Sequence, residues 1–339
     1  MPAITPEFLF DLESNMRTIT AQQYQRLSKN LWWTKVAKRM PSGAKKERIN
    51  WLLDTAQIER KDADGQVTFE DIVSSTTEYE SLPATAGLKL RKPQLEDLDG
   101  NGIDLAAHWA RQIGAYSAYW PQKQIAKAIR DNGTTYDGKA MFATDHPVNP
   151  FNSGAGTFTN RFTAGYGPGA VPIDNNVSVE VAVQNLAKAI AYVSAIPMPN
   201  GTDPRFLRLA GIMVPPALVA RAQQLTNAKF IAQAAGSAAG SGDVDAVIRN
   251  FGFGEPIEAP ELAAAFGGSD TTYYLLMEEI TSDELGALVY VDREPFQVVY
   301  HGPQTSAELA RIREFQWTTA GRNVVGYGHP YNLFRCEAT

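Results

Sequence analysis

The residues best suited to chemistry lie in the segment Thr144-Asp145-His146-Pro147, where a carboxylate and an imidazole are neighbours. An imidazole oriented by a carboxylate can act as a general base. No nucleophile elbow and no glycine-rich phosphate loop accompanies this pair in the sequence. The structural interpretation makes His146 a buried, hydrogen-bonded histidine, with Asp145 or Thr144 bonding to local backbone and Pro147 fixing a turn. The residues alone therefore indicate no enzyme.

Metal-binding motifs are incomplete. The turn Asp97-Leu98-Asp99-Gly100-Asn101-Gly102 resembles the start of an EF-hand loop, but the twelfth position, which should be a bidentate glutamate, is His108. The histidines at 108, 146, 301 and 329 form no H-x-x-x-H pair for zinc. Cys336 is the single cysteine, so an intrachain disulfide is excluded and a reducing compartment is expected. We predict no metal and no cofactor.

Composition narrows the class of protein. The chain has 339 residues, 44% hydrophobic and 20% charged, which are values typical of globular proteins. Its formal net charge is −6, which argues against a free nucleic-acid binder because such domains are usually basic. The basic run between Lys35 and Arg48 is interpreted as a solvated face, or as a contact with an acidic neighbour. No apolar stretch is long enough to predict a membrane helix.

The first half of the chain contains segments with little core of their own. The first 30 residues predict a helical arm that docks elsewhere rather than a core element. Residues 50–92 alternate weakly between apolar and polar side chains, as in Val67-Thr68-Phe69-Glu70-Asp71-Ile72. They also contain the turn signal Asp62-Ala63-Asp64-Gly65. This pattern predicts a long β-hairpin. Because a lone two-stranded hairpin is marginal in water, it needs a partner surface.

The rest of the chain mixes helices and strands, so the predicted class is α+β. Large apolar residues at helical spacing predict one buried face of a long helix over about 103–132, interrupted by Pro121: Leu105, Trp109, Ile113, Tyr116 and Trp120. A second helix is predicted at about 178–194, and a third begins at 217. The predicted strands are 207–214, 273–277, 287–291, 297–301, 315–319 and 324–327.

Four stretches resemble the Mu-like phage major head subunit family, whose fold is the HK97-type capsid fold. They follow one another along the chain: Leu31-Trp32-Trp33 through Trp51-Leu52; Trp120-Pro121 through Asp131–Lys139 to Met141–Val148; Pro199-Asn200-Gly201 through Leu209–Val214 to Pro215-Pro216-Ala217-Leu218; and Gly321-Arg322 to Gly328. The second stretch carries a proline within a helix, a Y-D-G and a T-D-H-P, each similar to the family's sequence.

The resemblance implies a role for each segment. It assigns residues 1–49 to an N-terminal arm and 50–92 to an extended loop. The peripheral domain would comprise 93–205 and 276–325, with a long spine helix, and the axial domain 206–275 and 326–339. The residues expected to act in structure or at interfaces are Trp32, Trp33, Glu70, Asp71, Pro121, Asp145, His146 and Pro147.

The resemblance also implies a function. The chain would be a major capsid protein of a tailed bacteriophage or prophage, without enzymatic activity, and located in the virion after assembly in the host cytoplasm. Copies would form pentamers and hexamers of an icosahedral shell that encloses double-stranded DNA without sequence-specific binding. Scaffold, maturation protease and portal would be separate proteins, and no membrane would be involved. The hairpin would lie across a neighbouring copy, with its acidic residues facing basic partners.

Two alternatives remain at this stage. One is an encapsulin-like nanocompartment shell of the same fold, which would need a groove for a cargo peptide. The other is an intracellular enzyme whose site is assembled from scattered residues around Asp145 and His146.

Overall fold

The computed structural model describes residues 6–52, 74–96, 101–201, 203–227, 230–231, 244–245, 254–279, 286–302, 309, 311 and 314–339. The α-helices are α1 (Pro6–Ser28), α2 (Trp33–Val36), α3 (Lys92–Glu96), α4 (Asn101–Asp131), α5 (Val179–Ser194) and α6 (Pro216–Asn227). The strands are β1 (Ala37–Pro41), β2 (Lys46–Leu52), β3 (Ser74–Glu80), β4 (Leu82–Arg91), β5 (His146–Pro147), β6 (Thr157–Phe158), β7 (Arg161–Phe162), β8 (Leu207–Val214), β9 (Phe230–Ile231), β10 (Val244–Asp245), β11 (Ile257–Glu258), β12 (Tyr273–Glu279), β13 (Leu288–His301), β14 (Glu314–Tyr327) and β15 (Leu333–Cys336). The class is α+β, as predicted.

A four-stranded sheet in the order β1-β13-β14-β4 forms one half of the molecule. β1 runs parallel to β13, and the other neighbours are antiparallel. The sequence predicted two short strands in place of β13 and two more in place of β14. β13 is instead continuous, because shifts of register between Asp292 and Gln297 accommodate Pro295, which cannot donate a backbone hydrogen bond.

A five-stranded sheet in the order β11-β8-β12-β15-β7 forms the other half. α5 and α6 contribute Leu186 and Leu225 to the core that covers it, which also holds Tyr273 and Phe334. The predictions for α5 and β8 are confirmed. The Ser178 hydroxyl caps α5 by accepting a hydrogen bond from the Val181 amide. α5 lies within the segment predicted to be peripheral, yet it packs on this sheet.

The long helix α4 is confirmed, and it is assigned as one helix through Pro121. Its predicted buried face is confirmed only in part, since Ile113 is buried and Trp109 packs against the same core. Leu105 and Tyr116 are 49% and 68% exposed, whereas Ala106 and Ala110 are fully buried. The physical reason is helix packing: small residues let α1 approach α4 closely, and the larger side chains lie beside the contact.

α1 docks on its own chain, which corrects the prediction of an arm that docks elsewhere. Leu9, Leu12 and Met16 are buried in a core shared with α4 and with Trp317 of β14. The Thr20 hydroxyl donates to the Ala110 carbonyl oxygen at 3.2 Å. Within the described residues, no helix has the length and apolar character required to cross a membrane.

Candidate assembly site

The hairpin root, which we define as β2 and β3, is an antiparallel pair with Lys46 opposite Glu80 and Leu52 opposite Ser74. No third strand joins this pair among the described residues. The predicted hairpin of 50–92 is therefore corrected at its base. β2 already begins at Lys46, and residues 82–91 of the predicted hairpin form β4, which pairs with β14 in the four-stranded sheet.

Aromatic side chains attach the hairpin root to the body. The Trp51 ring stacks on Tyr136, with centroids 5.5 Å apart and planes inclined by 21°. The indole Nε1 of Trp51 donates to the Thr77 hydroxyl at 2.7 Å, and the Ser75 hydroxyl donates to the Tyr136 carbonyl oxygen at 3.0 Å. Since Trp51 is only 2% exposed, the root is buried against the body although the hairpin is a separate sheet.

Tyr79 makes a second attachment through both backbone groups of Tyr327. Its hydroxyl donates to the Tyr327 carbonyl oxygen at 2.9 Å and accepts from the Tyr327 amide at 3.1 Å. Gly326 lies directly beneath the ring, where an added Cβ would come within 2.7 Å of Tyr79 Cε2. A glycine is needed here because any side chain would displace the Tyr79 ring.

A ring cluster, defined as Trp51, Tyr136, His329 and Tyr331, lies behind the hairpin root. The His329 ring is 4.9 Å from Trp51, 5.6 Å from Tyr136 and 4.8 Å from Tyr331, measured between centroids. The guanidinium of Arg205 lies 3.8 Å from the Tyr331 ring centroid and is paired with Glu279 at 3.1 Å. Burial, aided by the charge of Arg205, lowers the pKa of His329 to about 3.

Charged pairs run along the solvent side of the hairpin root. Glu78 accepts from Lys46 at 2.7 Å and from Arg48 at 3.2 Å, and Glu80 pairs with Lys45 at 3.0 Å. The basic run that was predicted to meet the hairpin's acidic residues does so within one chain. Hydrogen bonds from Lys46 and Arg48 lower the pKa of Glu78.

The other predicted acidic residues of the hairpin, Glu70 and Asp71, lie outside the described residues, as does the start of the turn at Asp97.

His146 is fully buried, and its Nδ1 donates to Asp137 Oδ2 at 2.6 Å, while its Nε2 lies 3.3 Å from the Met141 carbonyl oxygen. Its partner is thus Asp137, not the adjacent Asp145, which instead pairs with Lys139 at the surface. Pro147 forms the short strand β5 with His146 and lies opposite Thr157 of β6. The structure therefore gives no solvent-facing base at this position.

Asp137 organises the same loop. Besides His146, its carboxylate accepts from the Thr135 hydroxyl and from the Lys139 amide, the latter at 3.0 Å. Burial alone would raise the pKa of Asp137, but the hydrogen bonds and the charge of His146 outweigh burial and lower it. The loop that holds His146 also holds Tyr136, so it supports the ring cluster.

Trp32 joins three distant segments. Its Nε1 donates to the carboxylate of Glu261 at 3.2 Å, and its backbone amide donates to Gln122 Oε1 at 3.1 Å. Glu261 also accepts from Gln122 Nε2 at 2.6 Å and from the Tyr119 hydroxyl. Burial and the adjacent Glu261 raise the pKa of Tyr119. This network ties the N-terminal segment and the Pro260–Leu262 turn to α4.

Trp33 and Pro121 flank a different space. Trp33 is buried, and the centroid of its ring lies 5.5 Å from that of Tyr290. Trp33 and Pro121 both line a cavity of about 410 Å³ between α1, α4 and β13. A larger cavity of about 610 Å³ lies between α4 and β4. Tyr116 and Phe266 line this second cavity and are 68% and 64% exposed. Exposed aromatic residues around a cavity are typical of an interaction surface.

Sequence reasoning missed the partners that make these sites: Tyr136, Glu261, Arg205, Glu279 and His329. Trp51 in an otherwise weakly apolar hairpin was the one available signal, since a buried indole needs a body to pack on. The described residues include no group of three or more histidine, cysteine, aspartate or glutamate side chains placed to hold a metal ion.

Two family models match the sequence. The model of the Mu-like prophage major head subunit gpT matches residues 11–170, and the phage capsid protein model matches residues 96–335. No curated protein sequence matches the chain.

Solved capsid structures share the fold. The chain is similar to the subunit in the procapsid of bacteriophage JBD30, with 13% identity, 98% of this chain and 76% of that chain covered, and a TM-score of 0.51. The subunit of the mature capsid of bacteriophage PhiM1 is 12% identical, with 91% of this chain and 87% of that chain covered and a TM-score of 0.52. The capsid subunit of cyanophage P-SCSP1u is 14% identical, with 90% of this chain and 86% of that chain covered and a TM-score of 0.52. These similarities confirm the HK97-type fold, and with the match over residues 96–335 they lead to one conclusion: the chain belongs to the phage capsid protein family, as a major capsid protein.

Proposed function

We propose that copies of this chain assemble, as pentamers and hexamers, into the icosahedral head of a tailed phage or prophage, around double-stranded DNA. The observation that carries this is the hairpin root: two strands held to the body at one end and joined to no larger sheet in the described residues. A two-stranded sheet is marginal in water, so a hairpin root that joins no larger sheet needs a further surface along its edges. A neighbouring copy in the shell supplies it.

The predicted division into a peripheral and an axial domain fits this proposal. In this proposal residues 93–205 with 276–325 form the peripheral domain, and 206–275 with 326–339 form the axial domain. The predicted arm (1–49) and extended loop (50–92) change, because α1 docks on its own chain and residues 82–91 belong to the four-stranded sheet. Because α5 packs on the five-stranded sheet, the two domains share a core near residue 205. A shared core favours a subunit whose domains move little relative to each other.

The partners in the proposal are other copies, a separate scaffold, a maturation protease and a portal, with assembly in the host cytoplasm and the product in the virion. The chain performs no covalent chemistry in this scheme, and the burial of His146 against Asp137 supports that view. DNA is enclosed without sequence-specific contacts, because the net charge is −6 and much of the basic run is already paired with carboxylates.

A deletion tests the role of the hairpin. Removing residues 54–72 and closing the gap with Gly-Ser keeps both strands of the root. We expect a soluble subunit that melts as cooperatively as the unmodified chain but forms no stable shells by negative-stain microscopy. Shells of normal size from the shortened chain would refute the proposal that the hairpin holds neighbouring copies together. A full-length chain that stayed monomeric at high concentration, with scaffold present, would refute shell formation itself.

An encapsulin-like compartment is the alternative shell, and its contents distinguish it. Shells purified from infected or induced cells should contain double-stranded DNA of uniform length. A stoichiometric cargo protein and no nucleic acid would favour the compartment.

A further inference from the structure

We propose that the hairpin root is an acid-sensitive anchor: it holds the hairpin to the body while His329 is neutral, and it releases the hairpin when that imidazole takes up a proton. The inference concerns the regulation of the segment on which the proposed assembly rests. It is nevertheless a property of the single subunit, and it can be measured without shells.

The geometry leaves no room for a hydrated imidazolium. His329 is 6% exposed and has aromatic rings on three sides, those of Trp51, Tyr136 and Tyr331. Its Nδ1 is buried and has no hydrogen-bond partner in the described part of the chain. A second ring proton would therefore add a charge where neither water nor an acceptor meets it.

The charged groups around the ring cluster do not compensate that charge. Arg205 lies on Tyr331 and already places a cation beside His329. Glu279 is paired with Arg205, and Asp137, next to Tyr136, is occupied by His146. The remaining titratable groups of the cluster, the phenols of Tyr136 and Tyr331, are neutral at these pH values, since their ordinary pKa is 10.0 and burial raises it further.

Trp51 connects this protonation to the hairpin. The indole lies edge-on to His329 at 4.9 Å and also stacks on Tyr136, so moving Trp51 away opens one side of the His329 ring to water. Trp51 lies on β2, and its Nε1 is bonded to Thr77 of β3. Displacing the indole therefore moves both strands of the hairpin root.

The direction of the pH effect follows from linkage. We call the hairpin root closed when Trp51 packs on His329 and released when it does not. In the closed root the pKa of His329 is lowered to about 3, whereas in the released root this pKa returns toward the ordinary 6.5. The closed state is thus fully favoured above pH 6.5, and its advantage falls as the pH drops from 6.5 toward 3. In that window the ratio of closed to released root falls about tenfold per pH unit.

Hydrogen–deuterium exchange of the full-length subunit, read by mass spectrometry, tests the proposal. Protection factors of peptides covering β2 and β3 are measured at pH 7, 6 and 5 and corrected for the intrinsic pH dependence of exchange. We expect protection to fall about tenfold between pH 6 and pH 5. Peptides from α5 and β8, which contribute no residue to the ring cluster, should keep their protection.

Two variants show whether His329 is responsible. His329→Phe retains an aromatic ring and His329→Gln retains a polar group, and neither can titrate. In whichever of them folds, protection of β2 and β3 should not change between pH 7 and pH 5. The control His108→Gln, which alters an exposed histidine of α4, should keep the wild-type dependence.

Two results would overturn the proposal: wild-type protection that is independent of pH, or an equal loss of protection in the His329 variants. Neither result depends on assembly, so failure here leaves the shell proposal standing. Conversely, failure of the shell experiments leaves the exchange data valid.

Discussion

Gly114 of α4 lies against Thr20 of α1 so closely that an added Cβ would come within 2.6 Å of the Thr20 carbonyl oxygen. Backbone atoms cannot yield as the end of a flexible side chain can. The contact also includes Gln23, whose Cβ would lie 2.9 Å away. The position of α1 on the body therefore depends on the absence of one methyl group.

Gly114→Ala should destabilise the subunit by about 1–3 kcal/mol, the usual range for overpacking a close contact. Thermal or urea unfolding of the isolated subunit measures the change. Gly43→Ala is the matched control, because no atom lies within 4 Å of the added methyl group. Equal stability of the two variants would show that α1 is not held by this contact.

Glu261→Ala should lower the free energy of unfolding by about 3 kcal/mol, because it leaves the donors of Trp32, Tyr119 and Gln122 without their shared acceptor. Glu258→Ala, at an exposed position of the preceding strand, should change stability little. Urea titration of both variants checks this expectation. Similar losses in the two variants would contradict a central role for the Glu261 carboxylate.

Asp137→Asn should destabilise the subunit at neutral pH and lose its effect in acid. The pKa of Asp137 is lowered in the folded state, so its charge stabilises the fold above the ordinary value of 3.8, and this contribution disappears as the pH falls below that value. Unfolding curves of wild type and variant should begin to converge only as the pH falls below 3.8. Asp145→Asn removes a surface pair and should have a small effect throughout.

The pairing of the basic run predicts weak DNA binding by the isolated subunit. Glu78 and Glu80 hold Lys45, Lys46 and Arg48, so these cations are partly neutralised. Replacing both glutamates by glutamine should strengthen binding to nonspecific duplex DNA at low salt. The slope of the logarithm of the binding constant against the logarithm of the salt concentration should also become steeper by roughly one to two units. Fluorescence anisotropy over a salt series measures both, and unchanged binding would show that pairing with these glutamates does not limit DNA binding.

Local patterns predicted the elements whose burial is decided locally. α5 and β8 agree with prediction because each carries its own apolar periodicity and clear boundaries. The buried face of α4 was predicted only in part, because the contact with α1 buries small residues such as Ala106 and Ala110 while Leu105 and Tyr116 stay exposed. Adjacency in the sequence also suggested the wrong partner for His146. Its imidazole hydrogen-bonds to Asp137 and not to the neighbouring Asp145.

The site residues were less accessible to sequence reasoning, since their partners are remote. Trp32 and Glu261 are 229 positions apart, and Ser75 and Tyr136 are 61 apart. No spacing rule connects such pairs. The family resemblance identified the hairpin as a functional segment, but the rings that hold its base emerged only from the fold.

The composition of the four-stranded sheet has a consequence for the timing of biosynthesis. β1 pairs with β13 and β4 pairs with β14, so each pair joins strands that lie far apart in the sequence. Contacts of such large sequence separation form late and slowly. A nascent chain on the ribosome therefore cannot complete the body to which the hairpin is fastened. Assembly competence is therefore delayed until β13 and β14 have been synthesised.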